Sequence, residues 1–249
     1  INFDLIYGLP RQTVQSCIDT VERCLALRPD RFSVFGYAHV PTFKKHQRKI
    51  AEADLPKAAE RYRQAETIAA LLQKAGYRRI GLDHYALPQD SMAIAQSQGA
   101  LRRNFQGYTT DRAAVLLGFG ASAIGRLPQG YVQNEVVLGR YAGRLAQGEL
   151  PVARGYALTG EDRLRAELIE RLMCDFRVDV AQICRAHGRP EPDLDAAFPA
   201  LRRLEADGIV RREGASVEVA AHARSLVRAV AAAFDAYLDA PGRTHSRAV

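Results

Sequence analysis

Two strands joined by a helix stand at the front of this 249-residue chain, and that unit narrows its fold more than anything after it. Within FDLIYG the residues alternate as in a strand. Asn2, Asp4 and Ile6 take one side; Phe3, Leu5 and Tyr7 take the other. After Pro10, Thr13 is placed to cap a helix. Val14, Cys17, Ile18, Val21 and Leu25 then repeat at helical spacing. Pro29-Asp30 stops the helix, and RFSVFGYAHV reads as a second strand. Strand, helix, strand at this spacing predicts parallel strands and a right-handed crossover.

Parallel strands need cover on both faces and neighbours in their sheet. The expectation is therefore the later portion of a larger α/β domain, with its earlier strands missing from this piece. The alternation also accounts for Asp4 in an apolar run. The apolar face packs on helices, and the polar face points into a barrel or half-barrel that holds a ligand. A buried carboxylate without a partner is costly. Asp4 should meet ligand hydroxyls or amines, or an arginine; a purely structural pairing is the alternative.

Further along, FKKHQRK is a basic loop, residues 55–76 form an amphipathic helix stopped by Gly76, and YRRIGLDHYA reads as a third strand. Residues 84–113 lack periodicity and suggest a long functional loop, too aromatic in NFQGYTT for a disordered linker. LLGFGASAIG is small and Gly-rich, and residues 131–148 read as a helix. From residue 160 the texture changes to three helical segments, a hairpin turning at Gly214 and a last helix over 221–238. That order resembles a winged-helix module. The expected domains are 1–159 and 160–249, with a mobile tail at 241–249.

Charge divides along the same line. Residues 160–249 carry 14 arginines against 15 acidic groups, which leaves +8 of the overall +7 in residues 1–159. A positive field there suits an anionic partner. The charge of −1 speaks against the winged-helix-like part as a nucleic-acid reader, though that reading stays open. Cys17, Cys24, Cys174 and Cys184 have neither zinc nor iron–sulfur spacing, and reduced thiols of a cytosolic protein are expected. No apolar run reaches the length of a membrane span.

Together DLIYGLPRQT, FSVFGYAHVPT, GLDHYALP, LRRNFQGYTT and LLGFGASAIG resemble the oxygen-independent coproporphyrinogen III dehydrogenases (oxidases), radical S-adenosylmethionine enzymes of haem biosynthesis. The likeness runs in order along the whole chain. GLP-x-QT is shared with wider radical enzymes, including a haem-chaperone relative that remains an alternative; NFQGYTT is more specific. The family's CxxxCxxC motif, Gly-rich stretch and first barrel strands are absent from this sequence.

The resemblance implies the C-terminal part of a partial (β/α)6 barrel followed by a helical, winged-helix-like domain. For a full-length parent it implies a [4Fe–4S] cluster, whose ligands this chain lacks, and S-adenosylmethionine, of which family members can hold two. It implies an electron donor and a monomer, without nucleic acid or membrane. A 5′-deoxyadenosyl radical takes hydrogen from propionates of coproporphyrinogen III, two of which become vinyls, giving protoporphyrinogen IX. The fragment alone is expected to be inactive.

Carried over residue by residue, Asp4, Ala38 and Ile124 match cofactor-binding positions. Ala38 would act through its backbone and Ile124 as an apolar wall. Phe105 and Gln106 match residues lining the second cofactor or the substrate side. No catalytic residue and no metal ligand is assigned. Candidate partners for the substrate carboxylates are Lys44, Lys45, Arg48, Arg78, Arg102 and Arg103. His39 and His84, at strand ends, are candidates for a proton or hydrogen bond to substrate.

Overall fold

The computed structural model describes residues 1–238. The front unit is as the alternation predicts. Strand β1 (Asn2–Tyr7) and strand β2 (Arg31–Gly36) pair in parallel across helix α1 (Val14–Ala26). Thr13 caps α1: its hydroxyl accepts from the Ser16 amide at 3.1 Å, and Ser16 Oγ accepts from the Thr13 amide at 3.0 Å. Phe3, Leu5 and Tyr7 turn toward α1 and helix α2 (Ala58–Lys74), against a core of Cys17, Val21, Phe32, Ile68 and Leu72. Burying that stripe is what holds the helices to the sheet.

The third strand departs from expectation. Residues 77–86 form a hairpin of β3 (Arg78–Ile80) and β4 (His84–Ala86), and β4 lies antiparallel to β2. The sheet order is β1-β2-β4-β3, so only its first pair is parallel. Gly81 makes the reversal, with φ +56°, where a side chain would be strained.

The stretch over 84–113 is not an irregular loop. Helix α3 (Ser91–Ser97) starts on Asp90, whose carboxylate accepts from the Met92 amide at 2.8 Å. Strands β5 (Arg102–Asn104) and β6 (Gly107–Thr109) then make a tight hairpin with Phe105 and Gln106 at its turn. Leu101 and Tyr108 anchor this hairpin in a second core with Ile80, Ala93 and Cys174.

Nor is 131–148 a single helix. β7 (Ile124–Leu127), β8 (Gly130–Asn134) and β9 (Val152–Ala157) form an antiparallel sheet, and helix α4 (Leu138–Ala146) connects the last two. Gly130 permits the close strand approach, because a Cβ there would stand 1.9 Å from the Tyr156 carbonyl oxygen.

The C-terminal part runs through helix α5 (Gly160–Asp175), β10 (Arg177–Asp179), α6 (Val180–Ala186), α7 (Leu194–Ala197), α8 (Ala200–Ala206), the hairpin β11 (Val210–Glu213) and β12 (Ser216–Val219), and α9 (Val227–Ala232). The hairpin turns at Gly214 as expected, and β10 joins it as a third strand. The final helix is shorter than expected: residues 221–226 are 3-10, and α9 ends at Ala232. Leu168, Leu172, Val180, Leu201, Val217, Val227 and Phe234 make the core. Cys174, on the same helix α5, belongs instead to the core beneath the β5–β6 hairpin, so the two parts share that helix. The tail 241–249 lies outside the described residues. Among those residues no helix is long and apolar enough to cross a membrane.

Candidate functional site

The polar face of the first sheet sets out the site. Strand register places Asp4 beside Ser33 and Ser33 beside His84, a row across three strands. Asp4 is exposed, and its Oδ1 accepts from Asn2 Nδ2 at 2.7 Å. This corrects the expectation of a buried carboxylate: the face it occupies is open, and Asn2 is its partner. Ser33 is buried and donates to Asn2 Oδ1 at 3.2 Å.

From His84 a chain of rings runs outward. Phe35 and Tyr108 meet the imidazole edge to face, with centroids 6.0 and 5.2 Å away. His84 Nδ1 lies 2.7 Å from Asp83 Oδ1, which fixes the ring. Tyr108 then ties the β5–β6 hairpin to the molecule. Its hydroxyl accepts from the Leu82 amide and donates to the Met173 carbonyl, both at 2.9 Å. Burial pushes this phenol well above the ordinary tyrosine range, so it stays protonated.

Phe105, at the hairpin turn, packs edge to face on Tyr131 at 5.3 Å. The pair separates two hollows. One, of about 750 Å³, is also lined by Ile124, Tyr156, Asp162 and Arg165. The other, of about 360 Å³, is lined by Arg102, Arg103, Arg112 and Arg126. Ala38 lines a third, of about 460 Å³, at the ends of β1 and β2. The structure thus brings Phe105 and Ile124 to one cavity and Ala38 to another. Gln106 is exposed beside Phe105, its backbone N–H donating to Asn104 Oδ1 at 2.8 Å.

Two buried glutamines, which sequence reasoning missed, hold the loops in place. Gln47 accepts from the Val40 amide at 2.6 Å and donates to the Ala38 carbonyl at 3.0 Å. Gln64 accepts from the Gly8 amide at 2.9 Å and donates to the Gln12 carbonyl at 2.8 Å. Gln64 carried a readable signal, since it interrupts the apolar stripe of α2; Gln47, in a basic loop, carried none.

The predicted basic candidates separate. Lys44, Lys45, Arg48 and Arg78 are exposed and line none of the three hollows. Arg102 pairs with Glu170 at 3.2 Å, and Arg103 lies over the Tyr108 ring at 5.6 Å. Among the described residues no three His, Cys, Asp or Glu side chains gather as metal ligands. Burial raises the thiols of all four cysteines above their ordinary range, Cys174 to about 12. The four thiols do not gather into a ligand set among the described residues, so they do not fit an iron–sulfur cluster.

No protein-family model matches the chain. Over 250 residues it is 61% identical to the oxygen-independent coproporphyrinogen III oxidase of Bradyrhizobium diazoefficiens, covering 100% of this chain and 55% of that protein. The protein of the same name from Thermostichus vulcanus is 43% identical over 255 residues, and the match covers 78% of it. Among solved structures, coproporphyrinogen III oxidase (HemN) from Escherichia coli, described as a radical SAM enzyme, superposes with a TM-score of 0.89 at 41% identity, over 95% of this chain and 55% of that one. The chain spans about half the length of the Bradyrhizobium and Escherichia proteins.

Proposed function

The chain belongs to the oxygen-independent coproporphyrinogen III oxidase family, and on that premise we propose that it forms the substrate-side part of an enzyme that oxidatively decarboxylates two propionates of coproporphyrinogen III to vinyls, yielding protoporphyrinogen IX. In this reading residues 1–159 are the later part of a radical S-adenosylmethionine barrel, and residues 160–249 are a winged-helix-like module closing it. The protein works as a cytoplasmic monomer with an electron donor for a [4Fe–4S] cluster held outside this chain. The observation that carries the reading is 61% identity sustained from end to end, with Phe105 and Ile124 on one cavity.

The residues present suit S-adenosylmethionine, which when bound supplies the hydrogen-abstracting radical. Asp4 offers an open carboxylate, as hydroxyl or ammonium donors require. Ala38 offers backbone on a loop pinned by Gln47, beside His39, whose Nδ1 is buried without a hydrogen-bond partner among the described residues. Ile124 supplies an apolar wall. Phe105 and Tyr131 keep water from the reacting side chain, and Gln106 offers an amide at the rim.

The test is a chimera in which this chain replaces the corresponding segment of the Bradyrhizobium relative. Under anaerobic conditions with S-adenosylmethionine and reductant, it should convert coproporphyrinogen III to protoporphyrinogen IX, read by fluorescence after oxidation. Tight haem binding without turnover would favour the haem-chaperone alternative and overturn this reading.

A further inference from the structure

The cavity of about 460 Å³ at the ends of β1 and β2, which Ala38 also lines, carries a cluster of arginines that the cofactor reading leaves unassigned. It is lined by Arg61 of α2, Arg79 of β3 and Arg228 of α9, and among the described residues Asp83 is the one carboxylate on its wall. Asp83 is already engaged by His84 at 2.7 Å. Arg61 reaches the cavity through a slot between two glycines. A Cβ at Gly8 would meet its Nε at 3.0 Å, and one at Gly36 its Nη2 at 3.1 Å. Arg61 Nη2 donates to the Tyr37 carbonyl at 3.0 Å, and Arg79 Nη2 to the Leu82 carbonyl at 3.2 Å. The Nε atoms of both arginines are buried with no hydrogen-bond partner among the described residues.

Buried guanidinium nitrogens left unmatched are costly, and an anion is the partner that relieves them. Three arginines from the barrel part and from α9 converge here, and arginine holds a carboxylate through two parallel hydrogen bonds. We propose that this cavity is a carboxylate subsite: Arg61 and Arg79 receive one carboxylate arm of a polycarboxylate ligand, and Arg228 closes on it from the C-terminal part. The proposal rests on the functional reading above, under which the ligand is the tetracarboxylate coproporphyrinogen III. The surface cluster of Lys44, Lys45 and Arg48 is not involved. The cofactor also carries a carboxylate, so the test separates the two sources.

Coproporphyrin III, the stable oxidised tetracarboxylate, and S-adenosylmethionine are titrated separately into the chimera. Arg228→Gln lies on an exposed position and leaves folding intact; Arg61→Lys keeps charge and loses the fork; Arg61→Gln/Arg228→Gln removes both grips. The expected result is a rise of about tenfold or more in the coproporphyrin Kd for the double variant, with smaller rises for the single variants. In Arg228→Gln, which leaves the hold of Arg61 on the Tyr37 carbonyl intact, the Kd for S-adenosylmethionine should stay within about twofold of wild type. Loss of cofactor binding with coproporphyrin unaffected would overturn the assignment to substrate. Unchanged binding of both, or a wild-type chimera that binds no coproporphyrin, would overturn the subsite. Binding that follows the expected pattern in a chimera without turnover would support the subsite and count against the decarboxylation reading alone.

Discussion

The ring of Tyr108 fills the space a side chain at Gly81 would need. A Cβ built on Gly81 would lie 2.1 Å from the Tyr108 hydroxyl and ring carbon Cζ. The same hydroxyl accepts the Leu82 amide, one residue on. The turn between β3 and β4 and the hairpin carrying Phe105 are therefore locked to each other.

Gly81→Ala should destabilise the chain by about 2–4 kcal/mol, adding a left-handed backbone penalty to overpacking against a ring that cannot withdraw. Urea unfolding followed by circular dichroism measures it. A midpoint equal to wild type would show that the hairpin yields freely, and would undo the case for a fixed Phe105.

Stability should fall on the alkaline side. Burial pushes the Cys174 thiol and the Tyr85 phenol each up to about 12, against about 8.5 and about 10 in an unfolded chain. The folded state then keeps protons the unfolded state releases. Their contribution is whole below about pH 8.5 and is lost progressively as pH rises toward 12. The urea midpoint should hold level from pH 7 to 8 and drop by pH 11. In Cys174→Ala the decline should be shallower, since the other three thiols, also raised by burial, and the tyrosines remain. A flat profile to pH 11 would mean that neither group is shielded as the packing implies.

What could be read from the residues was whatever depends on near neighbours. The two faces of β1, the Thr13 cap and the turn at Gly214 each rest on contacts within a few positions. The hairpin at Gly81 does not, because the ring that shapes it comes 27 residues later. Strand β8 was hidden for the same reason: YVQN becomes a strand by pairing with β7 and β9, the latter some twenty residues away. The candidate site divides similarly. Phe105 and Ile124, singled out by motif resemblance, line one cavity. Arg79 and Arg228 look like surface charge until the fold brings them beside Arg61.

Gln47 fixes the loop that carries Ala38, so its loss should be felt at the cofactor and not in the fold. Gln47→Ala frees the Val40 amide and the Ala38 carbonyl, a local cost of about 1–2 kcal/mol. In the chimera, the Kd for S-adenosylmethionine should rise about five- to tenfold, while the urea midpoint falls by no more than that cost implies. Gln47→Glu retains the acceptor for Val40 and should fall between. Equal affinity in all three proteins would detach this loop from cofactor binding.

Asp4 gives the sharpest contrast between a structural and a ligand-binding carboxylate. A structural one should cost stability when removed, but Asp4 is exposed and bonds only its neighbour Asn2 among the described residues. Asp4→Ala should therefore leave the urea midpoint within about 0.5 kcal/mol of wild type. It should nonetheless weaken S-adenosylmethionine binding to the chimera by about tenfold or more, because a charged acceptor for the ligand's donors is gone. Asp4→Asn keeps an acceptor oxygen without the charge and should lose part of that affinity. Coproporphyrin III binding, assigned to arginines past the ends of β1 and β2, should not change in either variant. Cofactor affinity that survives Asp4→Ala would leave the open polar face of β1 without a role in the site.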